Sequence, residues 1–193
     1  MSPGNEFTHM RLFVAVNIPQ DIKEKISDFL AELNKQDLGV KWVDSGNLHL
    51  TLKFIGEAPF EKISGIEAVI KESAAGQKPF RVNLSGTGVF PDIHRPRVVW
   101  IGIGEGGYVL KNIALKLETL GAVDGNKEER AFSAHVTIGR IKSIEKAALL
   151  DKKLAEFKKT DFGSFTVENI DLMESVLHPG GPEYKCIRSI TIS

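Results

Sequence analysis

The stretch "NLHLTLKFIGE", Asn47 to Glu57, decides how this chain is read, because a histidine and a threonine interrupt an otherwise apolar strand at alternate positions. A pleated strand sends successive side chains to opposite faces, so Leu50 and Leu52 point one way and His49 and Thr51 the other. One face suits a core and the other suits chemistry or solvent. The two polar residues stand about 7 Å apart at a rise of roughly 3.3 Å per residue, close enough to serve one small group. A histidine and a threonine on a solvated strand face are common, so this stretch alone assigns no function.

A second copy changes the reading. "HLTL" at His49 to Leu52 is answered by "HVTI" at His135 to Ile138, with the same His, the same Thr two residues later and aliphatics at both remaining positions. Each copy leads into a helical pattern and then a strand opening on an aromatic: Phe80 follows His49 by 31 residues, and Phe165 follows His135 by 30. An internal duplication of a strand-helix-strand unit accounts for this. Two such units related by a pseudo-twofold would turn their polar strand faces toward a common cleft.

Two histidines and two threonines meeting at one point imply a definite chemistry. Histidine titrates near neutrality, so one imidazole can accept a proton while the other donates one. The hydroxyls of Thr51 and Thr137 can donate to non-bridging phosphate oxygens as negative charge builds up. In-line displacement at phosphorus needs this set, a base beside the attacking oxygen and an acid beside the leaving one. Neither motif contains Asp or Glu, and there is no His-x-x-x-His or cysteine pair, so neither a catalytic metal nor another cofactor is expected.

The remaining composition bounds the setting. The 193 residues, 42% apolar and 26% charged, suit one domain with an adequate core. Lys plus Arg and Asp plus Glu number 25 each, so an anionic substrate must be met by local charge. The single cysteine, Cys186, excludes an internal disulfide and a multi-cysteine zinc site. No run reaches the roughly 20 apolar residues that span a bilayer, so no membrane association is expected and a cytoplasmic monomer is. Residues 1–9, "MSPGNEFTH", lack apolar periodicity and read as a leader outside the fold, leaving 10–193 as a single domain.

Along that domain, helices are expected from Pro19 to about Gln36, Phe60 to Ala75, Gly107 to Leu120 and Ile144 to Lys158, from their apolar stripes. Strands are expected at "RLFVAVNI", "VKWV", the two motif stretches, "FRVNLSGTGVF", "RPRVVWIGIG", "SFTVENIDLMES" and "YKCIRSITI". Strand pairs alternating with helices favour α+β with largely antiparallel sheets. "GIGEGG" lacks the Lys-Ser/Thr of a phosphate loop and reads as a turn.

The paired His-x-Thr-x motifs resemble those of the 2H phosphoesterases, and within them the bacterial and archaeal RNA 2′,3′-cyclic phosphodiesterases, historically called 2′-5′ RNA ligases. The resemblance runs from Met10 to the C-terminus through "MRLFVAVNIP", "NLHLTLKFIGE", "GVFPDIHRPRVVWIGI" and "RAFSAHVTIGR". It departs at Ala134, where relatives often carry proline. It implies a bilobed α+β fold with two antiparallel sheets and outer helices around a central groove. It also implies metal-independent opening of RNA 2′,3′-cyclic phosphate ends, tRNA fragments among them, to a 2′-phosphate, with 2′-5′ ligation as the reverse. A non-catalytic nucleotide-binding module using the same groove is the alternative.

By the same resemblance His49 and His135 are the catalytic pair, with His49 taken as the acid toward O3′ and His135 as the base on water. The near symmetry of the motifs allows those roles to be exchanged. Thr51 and Thr137 fall on the phosphate. Phe54 matches an aromatic near the bound nucleotide, although alternation puts it on the leucine face as a core residue. Arg140 matches a site residue but alternates to the face opposite His135, so it reaches the groove only if the strand bends near Gly139. Arg130 could hold phosphate or lie in solvent, and Arg97, with Arg95, supplies local positive charge for RNA. Trp100 reads as core, and His94 and His178 as turn residues.

Overall fold

The apolar run after the leader forms β1 (His9–Asn17), and Pro19 then caps α1 (Gln20–Asn34), which buries Ile22, Ile26, Leu30 and Leu33 on one face. A short β2 (Val40–Trp42) precedes the first motif strand, β3 (His49–Pro59). The chain continues through α2 (Ile63–Ser73), β4 (Phe80–Phe90), β5 (Val98–Ile103) and α3 (Gly107–Leu117). The second motif strand is β6 (His135–Ile141), followed by α4 (Ala147–Ala155), β7 (Asp161–Val167), β8 (Asn169–His178) and β9 (Gly181–Thr191). This computed structural model describes residues 9–120 and 131–193.

Three differences from the sequence reading matter. Strand β1 already pairs at His9, opposite Pro59, so it takes in the last residue of the expected leader. The outer turns expected in α2 and α4 are tight 3-10 turns, Phe60–Lys62 and Ile144–Lys146. "SFTVENIDLMES" is two strands: β7 ends at Val167, β8 begins at Asn169, and they lie far apart in the sheet.

The strands run in the order β7-β4-β5-β6-β3-β1-β8-β9, with β2 added beside β6, and every pairing is antiparallel. Where the resemblance implied two antiparallel sheets, the described residues form one hydrogen-bonded sheet of nine strands, eight along a single path with β2 beside it. Its seam is narrow: β3 and β6 share only the pair Leu50 and Val136.

About that seam the order reads alike in both directions, β6-β5-β4-β7 on one side and β3-β1-β8-β9 on the other. The counterpart of β4 is therefore β8, and the matched spacing to Phe80 and Phe165 aligned β4 with β7, two strands that pair with each other. Each copy lends its third strand to the other half, since β4 lies beside β5 and β8 beside β1. The helices cross in the same way, α1 packing against β7 and α3 against β3. The Phe29 ring of α1 meets Phe157 and Phe162 edge-on at 4.8 and 4.9 Å. One core of Leu, Ile and Val side chains runs beneath both halves, each fully buried one contributing about 1.5–3 kcal/mol before entropy is counted.

Candidate functional site

Both motifs open their strands, and the seam pair sets their geometry. Leu50 and Val136 are wholly buried and face the core. In register on either side, Thr137 falls across from His49 and His135 across from Thr51, at the ~4.8 Å spacing of neighbouring strands. The four polar side chains thus share the face opposite the core. Thr51, His49 and Thr137 line a cavity of about 530 Å³, a size usual for small-ligand sites. His135 is not among the lining residues; it lies beside the cavity at the start of β6 and interacts electrostatically with His49.

The two imidazoles are held alike. The Nδ1 atom of His49 lies 2.8 Å from the Asn47 carbonyl oxygen, and that of His135 lies 2.7 Å from the Ser133 carbonyl. A carbonyl only accepts, so Nδ1 carries the hydrogen in each ring and Nε2 is the nitrogen whose proton comes and goes. Each ring also meets an aromatic edge: Tyr184 stands 4.9 Å from His49 at 84°, and Phe90 stands 4.9 Å from His135 at 83°. Burial holds His49 below the ordinary histidine value of 6.5. The hydrogen bond to Asn47 opposes this, and the positive charges of Lys23 and His135 add to it.

Strict alternation would send Phe54 and Arg140 away from these residues, and two bulges bring them back. Thr51 of β3 pairs with Ala15 and Lys53 with the next residue, Val14, which leaves Leu52 as an extra residue. Thr137 of β6 pairs with Trp100 and Gly139 with Val99, which leaves Ile138 extra. Leu52 and Ile138 are the last residues of the two motifs. Each bulge places two consecutive residues inward, Leu52 with Lys53 and Ile138 with Gly139, and all four are buried. Alternation then resumes with Phe54 and Arg140 on the histidine face, where both line the cavity.

The inward positions after the bulges are filled differently. At Gly139 a Cβ would lie 2.5 Å from Val40 and 2.9 Å from the Trp42 ring, so no side chain fits. Lys53, only 2% exposed, extends its ammonium to Glu118 at 2.7 Å.

Of the other expected residues, Arg97 is not brought to the cavity. It is exposed, and its backbone N–H donates to the Phe90 carbonyl at 2.7 Å. Arg130 lies outside the described residues. Trp100 is not the core residue expected: it pairs with Thr137 and alternates with the buried Val99 and Ile101, so it stands half-buried on the histidine face, its ring seated on Gly88 and 5.2 Å from Phe90. His94 is an exposed turn residue, and His178 ends β8 with Nε2 3.1 Å from Glu183.

The sequence reading missed Arg11, Phe13, Lys41 and Tyr184, all of which line the cavity. The Phe13 ring lies 4.9 Å from His49 and 6.1 Å from Phe54. Arg11, Lys41 and Arg140 set three cationic side chains against one lining carboxylate, Asp44. A chain of zero formal net charge thereby gains a local positive site. Among the described residues no three His, Cys, Asp or Glu side chains gather as a metal-binding group.

The profile of the family described as "LigT like Phosphoesterase" matches residues 16–100 and 108–184. The chain belongs to this family. It is 38% identical over 181 residues to a protein of Methanocaldococcus jannaschii named RNA 2′,3′-cyclic phosphodiesterase, covering 93% of this chain and 99% of that one. A protein of the same name from Archaeoglobus fulgidus is 39% identical over 184 residues, covering 93% and 98%. Among solved structures, E. coli LigT complexed with 3′-AMP superposes with a TM-score of 0.78 at 25% identity, covering 96% of this chain and 99% of that one.

Proposed function

We propose that this member of the LigT-like family opens RNA 2′,3′-cyclic phosphate ends to 2′-phosphates by acid and base catalysis at His49 and His135, without a metal. The observation that carries the reading is the seam. Its Leu50–Val136 pair puts two identically held imidazoles and two threonine hydroxyls on one polar face beside a cationic cavity. The shared name of the two archaeal relatives supports the substrate class.

In the reaction one neutral imidazole takes a proton from water as the water oxygen attacks phosphorus in line with O3′. The other imidazole, protonated, delivers its Nε2 proton to O3′ as the P–O3′ bond breaks, leaving a 3′-hydroxyl and a 2′-phosphate. Thr51 and Thr137 donate to the non-bridging oxygens, whose charge grows in the transition state. Burial favours the neutral form of His49, and a neutral imidazole is the form a base needs. This supports the exchanged roles, His49 as base on water and His135 as acid toward O3′. With a 5′-hydroxyl in place of water as the attacking group, O5′ bonds to phosphorus as the P–O3′ bond breaks, forming a 2′-5′ linkage and releasing the 3′-hydroxyl, and abundant water favours hydrolysis. Arg11, Lys41 and Arg140 attract the RNA backbone, and Phe54 stacks near the terminal base. The site is carried by one domain, acting as a cytoplasmic monomer.

The test is an oligonucleotide ending in a 2′,3′-cyclic phosphate, incubated with the protein in chelator, with the position of the product phosphate identified. A 2′-phosphate is expected. Binding without turnover would instead make the chain a nucleotide-binding module, and a 3′-phosphate would reverse the assignment of the leaving oxygen.

A further inference from the structure

Each histidine is anchored on the carbonyl two residues before it, and each ring meets an aromatic edge. His135 meets Phe90 and Ser133 from its own half of the sheet. His49 is enclosed by strands laid against it from elsewhere in the chain: Phe13 of β1 lies 4.9 Å from its ring at 37°, and Tyr184 of β9 stands edge-on at 4.9 Å. Tyr184 also meets Phe13 edge-on at 5.1 Å, so the three rings form one cluster. The same segment of β9 is tied to the loop that anchors His49, because the Asn47 side chain donates to the Pro182 carbonyl at 3.0 Å while the Asn47 carbonyl accepts from His49. Two contacts, one through a ring and one through an amide, join the start of β9 to a single histidine 135 residues away in sequence from Tyr184.

We propose that Tyr184 is a positioning residue for His49: packed against both the imidazole and Phe13, its ring fixes the imidazole's tilt and keeps water from one side of it. The inference deepens the reading of His49 and His135 as an acid and base pair and rests on it for its catalytic consequence, but its structural part stands without turnover. An edge-on aromatic contact contributes orientation as well as burial. Desolvation disfavours the imidazolium, so an enclosed ring is driven toward the neutral form. The charged groups that act on His49 are Lys23 of α1, whose ammonium donates to the Gly46 carbonyl at 3.1 Å, and His135 of β6; both are positive when charged and act in the same direction as burial. Arg11 and Arg140 act on the Tyr184 phenol, which burial raises above its ordinary value. The hydroxyl contributes nothing to this role, because the contact is made by the ring.

The experiment follows the ring resonances of His49 and His135 by NMR against pH in the unliganded full chain, for wild type, Tyr184→Phe, Tyr184→Ala and Asn47→Ala. Tyr184→Phe should leave the His49 titration in place. Tyr184→Ala should move it upward by about half a unit or more as water reaches the ring, and Asn47→Ala should move it in the same direction by less. The His135 titration should move little in all three. In turnover of a cyclic-phosphate oligonucleotide, the limb assigned to His49 should move with the titration, with kcat affected more than KM. An unmoved His49 titration in Tyr184→Ala overturns the proposal. So does a Tyr184→Phe protein as impaired as Tyr184→Ala, since the hydroxyl would then be the working group. Shifted titrations in a protein with no turnover would uphold the positioning role while sinking the catalytic reading.

Discussion

His49 and His135 can exchange protons only at Nε2, because Nδ1 of each ring keeps its hydrogen on a backbone carbonyl. If they act together, His49→Ala and His135→Ala should each lower turnover by about 10²-fold or more, and the double variant should fall well short of the product of the two losses. Thr51→Ala and Thr137→Ala should cost less, each removing one hydrogen bond to developing charge. A single histidine variant with full activity would move the site elsewhere. The pH profile separates the roles. Wild type should give a bell, and with His49 as base, His49→Gln loses the acidic limb in its residual rate; loss of the alkaline limb would restore the assignment of His49 as acid. The same shift acts on stability. The folded His49 binds its proton less readily than an unfolded histidine, so its contribution is complete above the ordinary value of 6.5 and is lost as pH falls from there through the lowered folded value. Urea midpoints should therefore drop more steeply in wild type than in His49→Gln across that window, and equal slopes would count against a buried, neutral His49.

At the scale of the strand, the bulges at Leu52 and Ile138 decide which residues face the cavity. Deleting Leu52 would remove the bulge and restore plain alternation in β3, leaving Lys53 inward and Phe54 on the histidine face. That variant should fold less stably, having lost a buried leucine, yet keep its affinity for nucleotide, whereas Phe54→Ala should raise KM with little loss of kcat. The buried Lys53 makes a separate prediction. Lys53→Met keeps the volume and removes the charge, and should be near neutral for stability. Glu118→Gln leaves an ammonium in the core without its partner and should cost roughly 1–3 kcal/mol, less than for a broken fully buried pair because Glu118 is half-exposed. Equal denaturation midpoints for Glu118→Gln and wild type would show that solvent already satisfies Lys53.

Across the whole molecule, a single residue pair joins the two halves at the place where the polar side chains meet. Leu50→Ala should destabilise by about 2–5 kcal/mol, as for other large core truncations, and should lower activity further at temperatures where the fold is intact, because the seam sets the spacing of the motifs. Unchanged turnover in a destabilised Leu50→Ala protein would show that the two halves of the sheet hold their spacing without it. All the proposed reacting groups are His or Thr, so excess chelator should leave turnover within about twofold, far from the several kcal/mol a Lewis acid supplies. Loss of activity restored by a divalent ion would refute the mechanism.

Hydrophobic period and motif chemistry are local properties, and they carried the sequence reading far: the paired motifs, the apolar face behind each, the four helices found among the described residues, and antiparallel α+β order all follow from neighbours in the chain. What the sequence could not decide is set by partners distant in sequence. A bulge exists only relative to the ladder beside it, so the turning of Phe54 and Arg140 depends on β1 and β5 rather than on the motif strands themselves. The break at Glu168 was hidden because β7 and β8 are both strand-like and differ only in which half of the sheet they join. Tyr184 opens the expected strand "YKCIRSITI", but no local pattern there points to a histidine 135 residues earlier. Its place against His49 comes from β9 pairing with β8 and β8 with β1, three antiparallel registers in succession, and only the assembled sheet brings those residues together.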